Sequence, residues 1–143
     1  MHTDKHVLIT GGCGFVGTNL AERLLAGGRT VCVLDDLSRP GVERNLAWLR
    51  AGHGDRLRVE VADIRDAKAV RRAVRGSAAV FHFAAQVAVT SSLADPLHDF
   101  GVNAFGTLNV LEALRVLPEP PPLFFTSTNK VYCALADVPL VET

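Results

Sequence analysis

Short apolar runs alternate along the chain with stretches in which apolar residues recur every three or four positions, and turn-forming residues separate the two. Val7, Leu8 and Ile9 make the first run, followed by Thr10-Gly11-Gly12-Cys13-Gly14-Phe15-Val16-Gly17 and then by Leu20, Leu24 and Leu25 at helical spacing. This predicts a buried strand, a glycine turn and a helix that ends near residue 26. A second strand is predicted over 30–34, closed by Asp35 and Asp36, and a short helix over 40–51, with Val42, Leu46 and Leu49 on one side and Gly52 at its stop. A third strand over 57–61 precedes an amphipathic helix over 66–75 that Gly76 terminates. Then come a strand over 78–83, a loop through Gln86, Ser91 and Ser92, and a long helix over 96–116 that Pro118 and Pro120 to Pro122 end. The last predicted element is a buried strand over 123–127. Strand and helix in strict alternation predict an α/β fold, a doubly wound parallel sheet with helices on both faces.

The chain has 143 residues, 48% of them hydrophobic, enough for one core and one domain, 1–143. Fifteen basic and fifteen acidic side chains leave no net charge, and no run of lysine or arginine occurs. Nucleic acid and membrane surfaces are therefore not expected partners; a small molecule is. Cys13, Cys32 and Cys133 lack paired spacing, which indicates neither a disulfide framework nor a metal site and fits a reducing compartment. The first strand begins so near residue 1 that no signal peptide is expected, and a cytoplasmic protein is.

The glycine turn is where the pattern acquires chemistry. Between a strand and a helix, one glycine lets the chain turn, one lets a backbone approach a pyrophosphate, and one lets helix pack on strand. The helix start supplies unpaired N–H groups and the positive end of its dipole to the anion. Asp35 stands about 20 residues on, where a dinucleotide fingerprint wants a carboxylate for the ribose hydroxyls. Its charge would repel a 2′-phosphate and favour NAD over NADP, although Arg39, with Ser38 in reach of the same ribose, is also a residue type that accommodates such a phosphate.

The motif Thr-Gly-Gly-x-Gly-Phe-x-Gly at 10–17 resembles that of the extended short-chain dehydrogenase/reductases, the NAD-dependent epimerases and dehydratases of nucleotide sugars. The likeness continues through Asp63-Ile64, His82-Phe83-Ala84-Ala85, Asp95-Pro96, and Asn103 with Gly106, Thr107, Asn109 and Leu111. Within the family, the segments at 35–41, 45–49, 86–88 and 127–132 are most similar to CDP-paratose 2-epimerases. The resemblance implies a Rossmann sheet, here cut off after about five strands. It assigns NAD contacts to Gly11, Gly14, Phe15, Val16, Gly17, Asp35, Asp36, Ser38, Arg39, Asp63, Ile64, Phe83, Ala84, Ala85 and Asn103, with no metal, and a nucleotide sugar, a CDP-sugar first, as substrate. Asp63 and Ile64 would make a polar rim and apolar wall for adenine, or simply a helix-entry loop. Ala84 and Ala85 are small where backbone passes close to a cofactor, or are ordinary core alanines. His82, inside an apolar strand, reads as a buried, hydrogen-bonded histidine rather than a base. Asn103, which helix propensity does not favour, either orders the neighbouring strand end or faces solvent.

Thr128 is the catalytic residue that the resemblance supplies: its hydroxyl would hydrogen-bond a sugar oxygen as that oxygen becomes a carbonyl, unless it merely caps a turn. The family's base belongs to a Tyr-x-x-x-Lys helix, but Ala136 stands four residues after Tyr132 and Lys130 precedes it, so Tyr132 is expected to be structural; Cys133 replaces the usual following glycine. The base and the substrate domain are thus expected outside these 143 residues. Three readings stay open at this point: the NAD-binding part of an epimerase or dehydratase, a noncatalytic nucleotide-binding module, and a truncated product without function. Self-association, as a homodimer or otherwise, is expected through the apolar edge at Leu123, Phe124 and Phe125.

Overall fold

The computed structural model describes residues 5–128. Five strands, β1 (His6–Thr10), β2 (Val31–Asp35), β3 (Leu57–Val61), β4 (Ser77–His82) and β5 (Leu123–Phe125), form one parallel sheet in the order β3-β2-β1-β4-β5. The doubly wound α/β architecture expected from the alternation is the one observed. Helices α1 (Phe15–Ala26), α2 (Val42–His53) and α3 (Ala67–Val74) connect the first four strands, and α4 (Val89–Ala94), α5 (Pro96–Phe100) and α6 (Gly106–Arg115) lie between β4 and β5.

Side chains of a strand alternate between faces, so a strand covered on both must be apolar at every position. β1 is so at its three central positions, between the polar His6 and Thr10: Val7 and Ile9 join Val31 and Val33 beneath Ala21 and Leu25 of α1 and Leu46 and Leu49 of α2. Leu8, with Cys32, Leu34 and Val80, packs on the other face against Val70 and Val74 of α3 and Val110, Ala113 and Leu114 of α6. Local signals set the entry of α3, where the Asp66 carboxylate accepts the Lys68 and Ala69 N–H groups at 2.8 and 3.2 Å.

Three sequence expectations change. The loop through Ser91 and Ser92 is helical: the Ser91 hydroxyl donates to the Ala88 carbonyl at 3.0 Å, so it serves a helix start instead of opposing one. The long helix predicted over 96–116 is α5, a π-turn (Gly101–Phe105) and α6, in which one extra residue enters the spiral. The last strand has three residues, and its Phe124 and Phe125 are 52% and 57% exposed, because β5 is the outer strand among the described residues.

Candidate functional site

The C-terminal ends of β1, β2 and β4 meet at one rim of the sheet, and the turn after β1 lies between them. Gly11 has φ +66°, and a Cβ there would stand 2.7 Å from the Ala84 nitrogen. A Cβ on Gly17 would stand 2.4 Å from the Gly11 carbonyl oxygen. These two glycines are therefore demanded by the protein's own packing. Gly14 is different: a Cβ there meets only the Gly11 oxygen at 3.3 Å, and the residue lines open space at the start of α1. Closeness to something outside the protein's own chain is what a glycine at that place permits.

Two cavities, of about 130 and 660 Å³, lie along this rim. Gly11, Gly14, Arg39, Ala84 and Ala85 line both, so together they form one cleft. The smaller end is bounded by Asp35, Asp36, Ser38 and the apolar Leu34, Ala62, Ile64 and Val102, with His98 also in its wall. The larger end is bounded by Phe15, Val16, Gly17, Phe83, Asn103 and Thr107, and by Phe125 to Thr128. A residue that the sequence reading missed, His98, lies far along the chain from Asp35, Asp36, Ser38 and Ile64 at the smaller end and carries no motif to reveal it.

Asp35 is held from two sides: the Cys13 N–H donates to one carboxylate oxygen at 2.9 Å and the Leu37 N–H to the other at 3.0 Å. The first bond ties the glycine turn to β2. Leu37 has φ +56°, the only left-handed residue other than glycine among the described residues. Asp36 accepts the Ser38 N–H at 3.0 Å. Asn45 of α2 donates to the Cys13 carbonyl at 2.8 Å and steadies the turn from the side. Arg39 spans the cleft, donating to the Ala85 carbonyl at 3.2 Å. Burial foremost, with the Asp35 charge adding, pushes the Cys13 thiol up to about 12, so it is no nucleophile at neutral pH.

Asp63 stands beside the smaller cavity and outside its lining. Arg65 donates to both of its carboxylate oxygens, the shortest bond being 2.6 Å, and these bonds hold its carboxyl below the usual carboxylate range. Ile64 does line the cavity. Asn103, in the π-turn, exchanges two bonds with the backbone of Gln86, accepting its N–H at 2.8 Å and donating to its carbonyl at 2.9 Å. It thus replaces a strand neighbour for the segment leaving β4. Lys130, Tyr132, Cys133 and Ala136 lie outside the described residues. No group of three or more His, Cys, Asp or Glu side chains suited to a metal occurs among the described residues, and none of the described helices is long and apolar enough to cross a membrane.

The family model of GDP-mannose 4,6-dehydratase matches residues 8–143. The chain belongs to this family of epimerases and dehydratases. It is 42% identical over 140 residues to CDP-paratose 2-epimerase of Salmonella typhi, covering 96% of this chain and 40% of that protein. It is 40% identical over 128 residues to dTDP-glucose 4,6-dehydratase of Mycolicibacterium smegmatis, covering 88% and 37%. Among solved structures, a UDP-N-acetylglucosamine 4-epimerase from Methanobrevibacter ruminantium superposes with a TM-score of 0.81 at 30% identity, over 98% of this chain and 43% of the other. The NAD complex of Thermus thermophilus UDP-glucose 4-epimerase gives 0.65 at 42% identity, over 77% and 33%. The chain therefore spans about two fifths of the length of the curated relatives it matches. The Rossmann sheet of this family is the fold described above.

Proposed function

We propose that these residues form the NAD-binding portion of a nucleotide-sugar epimerase of the CDP-paratose 2-epimerase kind. The observation that carries this reading is the cleft itself: Gly14 and the first turn of α1 at its middle, Asp35 at one end and the hydroxyl-bearing exit of β5 at the other. A dinucleotide fits that layout. Its pyrophosphate would meet the N–H groups that begin α1, its adenosine ribose would meet Asp35, and Ile64 would wall the adenine. The CDP-sugar choice rests on the Salmonella relative alone.

In this reading bound NAD would supply hydride-transfer chemistry at a sugar carbon, the hydride being removed from one face and restored to the other. This chain's residues contribute binding and orientation: Gly11 and Gly17 let the turn close under the pyrophosphate, and Arg39 crosses above it. Asp35, with both oxygens held by N–H groups, is already oriented before any ligand arrives. Thr128, in the wall of the larger cavity, would donate a hydrogen bond to the sugar oxygen at the reacting carbon. A hydroxyl cannot also be the base, since at its ordinary pKa it holds its proton. The acid–base group lies, in this reading, in sequence beyond these residues.

Titration calorimetry with the 143-residue chain tests the binding step. NAD should bind, Asp35→Ala should weaken it and should narrow the preference over NADP; unchanged affinities for both cofactors would refute the assignment. Substrate is tested on the longer protein by offering CDP-paratose and dTDP-glucose separately. A second reading, a sugar-nucleotide 4,6-dehydratase, is favoured by the family model and by the Mycolicibacterium relative, and predicts loss of water from the second substrate.

A further inference from the structure

Beneath the cleft runs a chain of hydrogen bonds that none of the site assignments uses. The Ala84 N–H donates to the Thr10 hydroxyl at 3.3 Å, and that hydroxyl lies 2.6 Å from His82 Nδ1. His82 Nε2 lies 3.0 Å from the Thr107 hydroxyl, which donates to the Asn103 carbonyl at 2.6 Å. Both ends are backbone groups: an N–H that only donates and a carbonyl that only accepts. Each hydroxyl has a single proton, so the order follows. Thr107 gives its proton to Asn103 and accepts from Nε2–H; His82 is then bare at Nδ1 and accepts from Thr10; Thr10 accepts from Ala84. No other arrangement of protons makes all four bonds with a neutral ring. The ring is 2% exposed, and burial pushes its pKa down to about 4, which keeps it neutral.

The geometry points to His82 as the positioning residue for the nucleotide cleft: through Thr10 and Ala84 on one side and Thr107 and Asn103 on the other, it joins the β4 wall of the cleft to the π-turn. This rests on the proposed NAD site only for its functional consequence. A ring committed at both nitrogens has no proton to lend, so its part is to orient the Ala84 wall, and with it the approach to Gly11, rather than to transfer protons. Bonds in such a directed chain polarise one another, so loss of the middle member is felt at both ends.

Nitrogen-15 spectra of the imidazole in the wild-type chain should show one neutral tautomer protonated at Nε2; a ring protonated at Nδ1 would overturn the order. Amide exchange reads the wall without any ligand. His82→Leu should speed exchange at Ala84 about tenfold, the equivalent of one buried hydrogen bond, while Leu8 in β1 keeps its protection. Unchanged exchange at Ala84 would overturn the proposal. His82→Asn puts a carbonyl oxygen where Nδ1 stands, still accepts from Thr10, and should restore most of the protection. NAD affinity should follow: about tenfold weaker in His82→Leu and largely recovered in His82→Asn. Equal losses in the two variants would sink the positioning role. If His82→Leu does not fold, Thr107→Val removes the Nε2 acceptor instead and should raise Ala84 exchange by itself, an unchanged rate again refuting the relay. Should the wild-type chain fail to bind NAD, the cofactor assignment falls, and the tautomer and exchange results still decide the relay.

Discussion

Single residues at the rim have two kinds of reason for being what they are. Gly17 is small because the turn before it leaves no room: Gly17→Ala drives a Cβ to 2.4 Å from the backbone oxygen of Gly11. Backbone yields less readily than a side chain, so this variant should lose about 3 kcal/mol in urea unfolding, the upper end of overpacking costs. Arg39 is held by a neutral carbonyl across the cleft. Replacing that partner with a pyrophosphate makes a charge-assisted pair, so Arg39→Ala should speed NAD dissociation about tenfold in stopped-flow measurements. His82 and His6 are both buried, and burial lowers both pKa values, His82 to about 4 from 6.5. The unfolded chain then binds more protons than the folded one below pH 6.5. Stability contributed by keeping these rings neutral is complete above that pH and falls as the pH drops toward 4. For His82 alone the loss is about 3 kcal/mol. Urea unfolding at pH 7 and pH 4.5 should show this decline, and His82→Asn should flatten it.

At the scale of elements, the π-turn matters most. A regular α-helix from Pro96 to Arg115 would present Asn103 one position out of register with the segment leaving β4. The inserted residue lets one side chain bond both the N–H and the carbonyl of Gln86. Asp99 and Ser92 support it: Ser92 donates to Asp99 at 2.6 Å, and Asn103 donates to the same carboxylate oxygen at 3.2 Å. Deleting Ala104 regularises the helix without removing any of these groups. The deletion should leave the helical circular dichroism intact while abolishing the exchange protection of the Gln86 amide.

For the molecule as a whole, the unbalanced feature is the β5 side of the sheet. Phe81 and Phe124 stack with centroids 4.6 Å apart and planes 8° from parallel, yet Phe124 remains 52% exposed. Phe125 sits 5.8 Å from His82 on the other face and is equally bare. Large apolar side chains beside an outer parallel strand invite pairing with another chain. Sedimentation of the 143-residue chain should therefore show association that grows with concentration, and Phe124→Ser should reduce it; monomers at all concentrations would count against the expectation.

What the sequence determined by itself is local and periodic. Apolar runs without alternation marked strands buried on two faces, and the order strand, helix, strand implied parallel pairing before any contact was known. The limits of β3, 57–61, were legible to the residue, because Gly54 and Asp63 bracket a run in which apolar Leu57, Val59 and Val61 alternate with charged Arg58 and Glu60. The glycine turn and Asp35 were legible because their spacing is dictated by one ligand-sized turn. The tertiary structure decided the rest. Whether Asn103 faced solvent or a strand depended on an extra residue in a helix, which no propensity records. That Arg39 reaches Ala85 and that His98 joins the smaller cavity are outcomes of where separate loops end up in space. The direction of every proton in the Ala84 to Asn103 relay followed only once five residues from β1, β4 and the helix region were in contact. Hydrogen bonding of this kind is short-ranged and angular, so it is written in positions and only indirectly in residue type.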